Sequence, residues 1–142
     1  MNHLLLVAMN LLLDLKTLLP TNVFFMETKP NMLFDGIFTK INYCDEFFTM
    51  YGVYVSIPVE IVPYSKPKID ANVLNTLVKM ESDILNLYAK SKPVGSKITY
   101  KLAEFLQTKM AISPVGKEKT NCLKISGVWE NRNNEIGLSF KF

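Results

Sequence analysis

The residue types that perform nucleophilic or metal-assisted chemistry are few and scattered in this sequence. Its one histidine, His3, lies in an apolar N-terminal stretch. No Gly-x-Ser-x-Gly or Cys/His context surrounds it in which an imidazole could act as a base. The two cysteines, Cys44 and Cys122, have neither CxxC nor Cys/His spacing, so a zinc site would have to be assembled mostly from carboxylates. P-loop, GxGxxG and HExxH patterns are absent. Carboxylates are paired at Asp45-Glu46 and at Glu81 with Asp83, but two acids in a turn or on a helix surface are ordinarily solvated rather than catalytic. The expectation is a non-enzymatic protein with no metal and no cofactor. Both cysteines are expected as reduced thiols of an intracellular protein. Because both fall in predicted strands, a single Cys44–Cys122 disulfide stays open as the alternative.

A different chemistry is better supplied. In the strand candidate Leu33–Tyr43, the residues Leu33, Ile37 and Ile41 suit a core, which turns Phe34, Gly36, Phe38, Lys40 and Asn42 to the other face. In Phe47–Ile57, the set Phe47, Tyr51, Val53, Val55 and Ile57 points one way and Phe48, Met50, Gly52, Tyr54 and Ser56 the other. Lys124, Ser126, Ser139 and Lys141 from the last two strands add to that second face. Aromatic rings, lysines and small residues on one sheet face are what sequence-tolerant binding of a single strand needs. Bases stack on the rings and ammonium groups neutralise phosphates. The same rings would equally serve as core beneath a helix, and Trp129, among apolar neighbours, is expected in the core.

These residues must be positioned by a single domain spanning residues 1–142, long enough to bury a core without disulfides. Residues 1–20 read as an apolar N-terminal helix. Leu4–Leu19 carries apolar residues at the helical period and stops at Pro20. Asn10, Asp14 and Lys16 interrupt the stretch, so it is too short to span a bilayer, and it lacks the Lys or Arg that opens a signal peptide. An intracellular, non-secreted protein is expected. The helix is a candidate surface for homo-oligomer formation or for a protein partner.

Residues 21–63 are β-rich, with a short strand at Val23–Glu27 and an antiparallel hairpin turning at Cys44-Asp45-Glu46. Residues 69–110 are helical: Asp70 caps one helix that runs to about Ala89, and a second runs from near Ser96 to about Met110. Residues 121–142 form the last hairpin. Leu123, Ile125, Gly127 and Trp129 alternate with polar or small residues, as do Ile136, Leu138, Phe140 and Phe142. Asn131-Arg132-Asn133-Asn134 supplies the turn. Charge is divided unevenly along the chain. Residues 1–65 carry three Lys against six acids, and residues 66–142 carry twelve Lys and one Arg against seven acids. A basic second half favours a polyanionic partner.

The ending Lys124-Ile125-Ser126-Gly127-Val128-Trp129-Glu130, followed by Gly137-Leu138-Ser139-Phe140-Lys141-Phe142, resembles the close of a family of single-stranded-DNA-binding-like proteins of large DNA viruses. Ile41-Asn42-Tyr43, followed by an aromatic strand and Pro58, also sits where that family has a hairpin. The resemblance implies an α+β fold: an OB-like antiparallel sheet or barrel of about five strands with two inserted helices. To that this chain would add its apolar N-terminal helix. The resemblance also implies non-enzymatic binding of single-stranded DNA, or RNA, in genome replication or protection. In this reading Phe38, Phe48 and Tyr54 stack on bases while Lys40, Lys124, Arg132 and Lys141 meet phosphates. The rival is an oligomerising viral structural or interaction protein that uses Leu4–Leu19 and the aromatic sheet face. The acidic turn Cys44-Asp45-Glu46, where the family has Gly and a basic residue, belongs with that rival.

Overall fold

The computed structural model describes residues 13–31, 36–92, 95–113 and 122–142. Among them the fold is α+β, with eight strands in one mixed sheet and two α-helices. The strands are β1 (Leu13–Asp14), β2 (Val23–Asn31), β3 (Gly36–Cys44), β4 (Thr49–Met50), β5 (Val53–Ser56), β6 (Lys97–Ile98), β7 (Cys122–Asn131) and β8 (Glu135–Lys141). The helices are α1 (Ala71–Lys90) and α2 (Leu102–Ile112). The five expected strands are found, with Phe47–Ile57 divided into β4 and β5; β1 and β6 are two-residue additions. The pairing order β1-β5-β7-β3-β2 leaves β1 and β2 as edges with no pairing between them, so the sheet is open.

Strand β7 is the centre of the sheet. One of its edges is occupied by β8; the other is shared by β5, along residues 122–125, and β3, along residues 127–131. Between those two partners Ser126 forms a β-bulge against β8, where Ile125 faces Phe140 and the next pair is Gly127 with Ser139. A bulge inverts the facing of everything after it. Leu123 and Ile125 point to the helices, and beyond the bulge Val128 does so, fully buried, while Trp129 turns to the opposite face. The expected burial of Trp129 is therefore corrected, and the cause is the extra residue Ser126.

A second change of phase occurs at Gly52, whose φ of +106° is readily open only to glycine. The predicted hairpin exists, but only two pairs hold it, Tyr43 with Met50 and Cys44 with Thr49. At Gly52 the chain kinks away from β3, and β5 pairs with β7 instead. After the kink Val53, Val55 and Ile57 are buried as expected. Before it the parity is reversed: Met50 is buried, whereas Phe47 is 65% and Tyr51 81% exposed. The acidic turn has a structural role, because the Asp45 carboxylate accepts hydrogen bonds from the backbone N–H groups of Phe47 and Phe48 at 2.7 and 3.0 Å.

The N-terminal helix is not present where the structure describes the stretch. Leu13–Asp14 is a strand parallel to β5, and Thr17 and Leu18 donate backbone hydrogen bonds to the Asp14 carbonyl in the turn that follows. Pro20 opens a 3-10 turn rather than closing a helix. Residues 4–12, like His3, Leu33 and Phe34, lie outside the described residues. No helix among the described residues is long and apolar enough to cross a membrane.

Helix α1 begins where expected, with the Asp70 side chain accepting from the backbone N–H of Asn72 at 3.1 Å. Its C-terminal end is tied to the sheet through Tyr88, which packs edge-on against Phe25 at 5.2 Å. The Tyr88 hydroxyl bonds Thr39 at 3.1 Å and donates to Glu130 at 3.3 Å. Helix α2 starts later than expected. Lys97–Ile98 pairs parallel with β8, with the N–H groups of Lys97 and Thr99 donating to the carbonyls of Asn134 and Ile136, so the chain is extended where the helix was expected.

The α2 start is fixed by Glu81, a residue of α1 only 1% exposed, whose Oε2 accepts from the backbone N–H groups of Lys101 and Leu102 at 3.1 and 3.2 Å. The two helices are thereby joined end to side. The second oxygen, Oε1, is buried and has no hydrogen-bond partner among the described residues. Burial raises the Glu81 carboxyl above its ordinary value of 4.5, against the opposing pull of the two backbone N–H groups. A raised carboxyl favours the folded state most at pH below its ordinary value, and that contribution disappears as pH climbs through the raised value. In urea titrations from pH 4.5 to 7.5, Glu81→Gln is expected to remove this part of the pH dependence, so the variant gains on wild type as pH rises. Parallel pH profiles for the two proteins would contradict the assignment.

Candidate nucleic-acid interface

The sheet has one face under the helices and one face turned away from them. Residues paired in register share a face, so the outward set follows from the ladders. Lys29 pairs with Phe38, Phe38 with Trp129, and Trp129 with Gly137. Lys40 pairs with Gly127, and Gly127 with Ser139. Tyr54 pairs with Lys124, and Lys124 with Lys141. From Phe38 to Lys141 this surface is built of rings, lysines and small residues, and none of these outward positions carries a carboxylate. None of these lysines has an ion-pair partner among the described residues, and such a grouping favours a polyanion.

Two glycines let the rings lie flat. A Cβ at Gly137 would stand 2.4 Å from the Trp129 ring, and one at Gly127 would stand 2.7 Å from the tip of the Phe38 ring. Both rings thus lie across bare backbone, each half-exposed. The Lys124 ammonium sits over the Tyr54 ring at 5.4 Å, a cation–π contact that holds the charge at the surface. Beside it the sheet divides where β3 and β5 part, leaving a depression of about 300 Å³ lined by Phe38, Lys40, Asn42, Tyr51, Lys124 and Ser126.

Five of the seven expected contact residues are brought together here: Phe38, Lys40, Tyr54, Lys124 and Lys141. Phe48 is not. The reversed parity ahead of Gly52 turns it toward the helices, where it stacks on buried Tyr43 at 6.4 Å. Arg132 is exposed in the β7–β8 turn, eight residues along from Lys124 and so about 25 Å away at strand rise. Sequence parity missed Trp129 and Tyr51. The bulge and the kink that expose them leave weak marks, a Ser-Gly pair inside one strand and a Tyr-Gly pair inside the other.

Neither thiol takes part in a disulfide: Cys44 and Cys122 are free and half-buried. Burial pushes the Cys122 thiol up, away from the reactive thiolate. Among the described residues no three His, Cys, Asp or Glu side chains come together as a metal-ligand set.

Gly137→Ala is expected to unseat the Trp129 ring, shifting the emission of this sole tryptophan and costing about 1–3 kcal/mol of stability by overpacking. An unchanged spectrum and urea midpoint would contradict the seating described. No protein-family model matches the chain, and neither a curated protein nor a solved structure matches it.

Proposed function

We propose that the outward sheet face binds single-stranded nucleic acid without catalysis, the rings of Phe38, Tyr54 and Trp129 stacking on bases and Lys40, Lys124 and Lys141 meeting phosphates. The observation that carries this reading is the joining of Phe38 to Trp129 and Tyr54 to Lys124 across β7, on a stretch of the face that holds no carboxylate between Phe38 and Lys141. Each ring is half-exposed, so a base can reach it without unfolding the core. Stacking of a base on such a ring is worth about 1–3 kcal/mol and tolerates any base. The resemblance of the terminal hairpin to the viral single-strand-binding family extends the proposal. It relates the five longer strands to an OB-like sheet and the role to genome replication or protection.

Trp129 is the only tryptophan, so its fluorescence reports directly on this face. Titration with oligo-dT is expected to quench it, with the logarithm of the affinity falling linearly as log salt rises. Lys124→Ala and Lys141→Ala are each expected to reduce that slope by about 0.7, the value for one phosphate contact on a single strand. Phe38→Ala is expected to weaken binding by about 1–3 kcal/mol at constant salt. Absence of quenching at low salt would overturn the proposal. The second reading, an oligomerising structural or interaction protein, draws on Phe24 and Met26, exposed along the edge strand β2. Light scattering that shows a concentration-dependent oligomer, together with no quenching, would favour it.

A further inference from the structure

The stacking surface is indifferent to base identity, but the depression beside it is not built that way. It lies where the sheet splits. Strand β3 is paired with β7 as far as Lys40 and with β4 from Tyr43, so Ile41 and Asn42 have no ladder partner on that edge. Across the gap, Ser126 falls between the β5 and β3 ladders and is the bulged residue opposite β8, leaving it without a ladder partner on either edge. Backbone groups released in this way must be satisfied by water or by a ligand. The Asn42 side chain is half-buried and makes no hydrogen bond among the described residues. The depression of about 300 Å³ lies at the small end of the range for small-molecule sites, about 300–1,000 Å³. Rings at Phe38 and Tyr51 line it, with ammonium groups at Lys40 and Lys124.

We propose that this depression reads one base of the bound strand and prefers guanine, with Asn42 as the discriminating residue. The inference rests on the single-strand reading above. Its argument is the donor balance of the lining. Lys40 and Lys124 are donor-only, Asn42 and Ser126 can donate or accept, and no carboxylate is present to accept. Guanine presents two adjacent acceptors, O6 and N7, which match a donor-rich wall. Adenine and cytosine place an exocyclic amino donor beside the matching acceptor, and thymine's two carbonyls, O4 and O2, are separated by the N3–H donor, so neither pattern gives two adjacent acceptors. One base thus fits the site best, while neighbouring bases stack on Trp129 and Tyr54 without being read.

The test compares four ten-nucleotide oligomers: dT throughout, and dT with one central dG, dA or dC. Affinities are taken from Trp129 quenching at one salt concentration. The dG oligomer is expected to bind about tenfold more tightly than dT alone, the scale of one good base contact, with dA and dC no better than dT. Asn42→Ala is expected to narrow the dG advantage to within about twofold, since the discriminating contact is lost. Equal affinity for all four oligomers would overturn the guanine pocket and leave the stacking surface standing. A dA or dC preference would overturn the pocket too, as would a dG preference that survives Asn42→Ala. No quenching by any oligomer would overturn both the pocket and the surface.

Discussion

The close approach of β3 to β7 at Gly127 is the constraint from which both faces of the sheet take their character. A Cβ at this position would stand 2.2 Å from the Thr39 carbonyl oxygen, so only glycine lets the two backbones meet there. The bulge at Ser126 sits immediately before it and transfers β7 from one partner strand to the next. The exchange puts Val128 among the buried side chains and Trp129 outside. In a strand of strict alternation, Gly127 and Trp129 would have pointed at the helices and Val128 at solvent. One residue out of phase turns a core tryptophan into a surface ring.

Much of the architecture was legible because it rests on local rules. Asp70 caps α1, Asn131–Asn134 turns the last hairpin, and the apolar residues of α1 recur at the helical period. The failures have a common physical origin. A period-two reading assumes an unbroken pleat, and the pleat is broken at Ser126 and at Gly52, which misplaced Trp129, Phe48, Met50 and Tyr51. The beginning of α2 was misread for another reason. Lys97–Ile98 is held extended by β8, and Lys101–Leu102 is capped by a carboxylate from α1, both partners distant in sequence. Leu13–Asp14 is likewise held as a strand by β5 in spite of its apolar helical pattern.

Of the candidate site, five residues were legible because β3 before Lys40, β5 after Gly52 and the ends of the terminal hairpin keep regular alternation. Arg132 was chosen on charge, a property that carries no information on position along a hairpin. The acids tell the reverse story. Asp45 and Glu81 look like free carboxylates in sequence, and each is occupied in holding backbone N–H groups, one in a turn and one at a helix start. Both carboxylates serve the backbone, and neither belongs to the outward face.

Strand β2 has a further consequence. An edge strand offers a row of N–H and C=O groups on which another chain can add a strand of its own. On β2 that row is broken twice. The ladder slips between Phe25 and Thr28, and Pro30 has no N–H to offer. Only Val23–Phe25 remains as an uninterrupted run before the slip. If the proposed binding holds, copies of the protein crowded side by side along a polyanion would meet at high local concentration, the condition that most encourages sheets to fuse. A broken edge lets such neighbours stand close and still come apart as separate folded molecules.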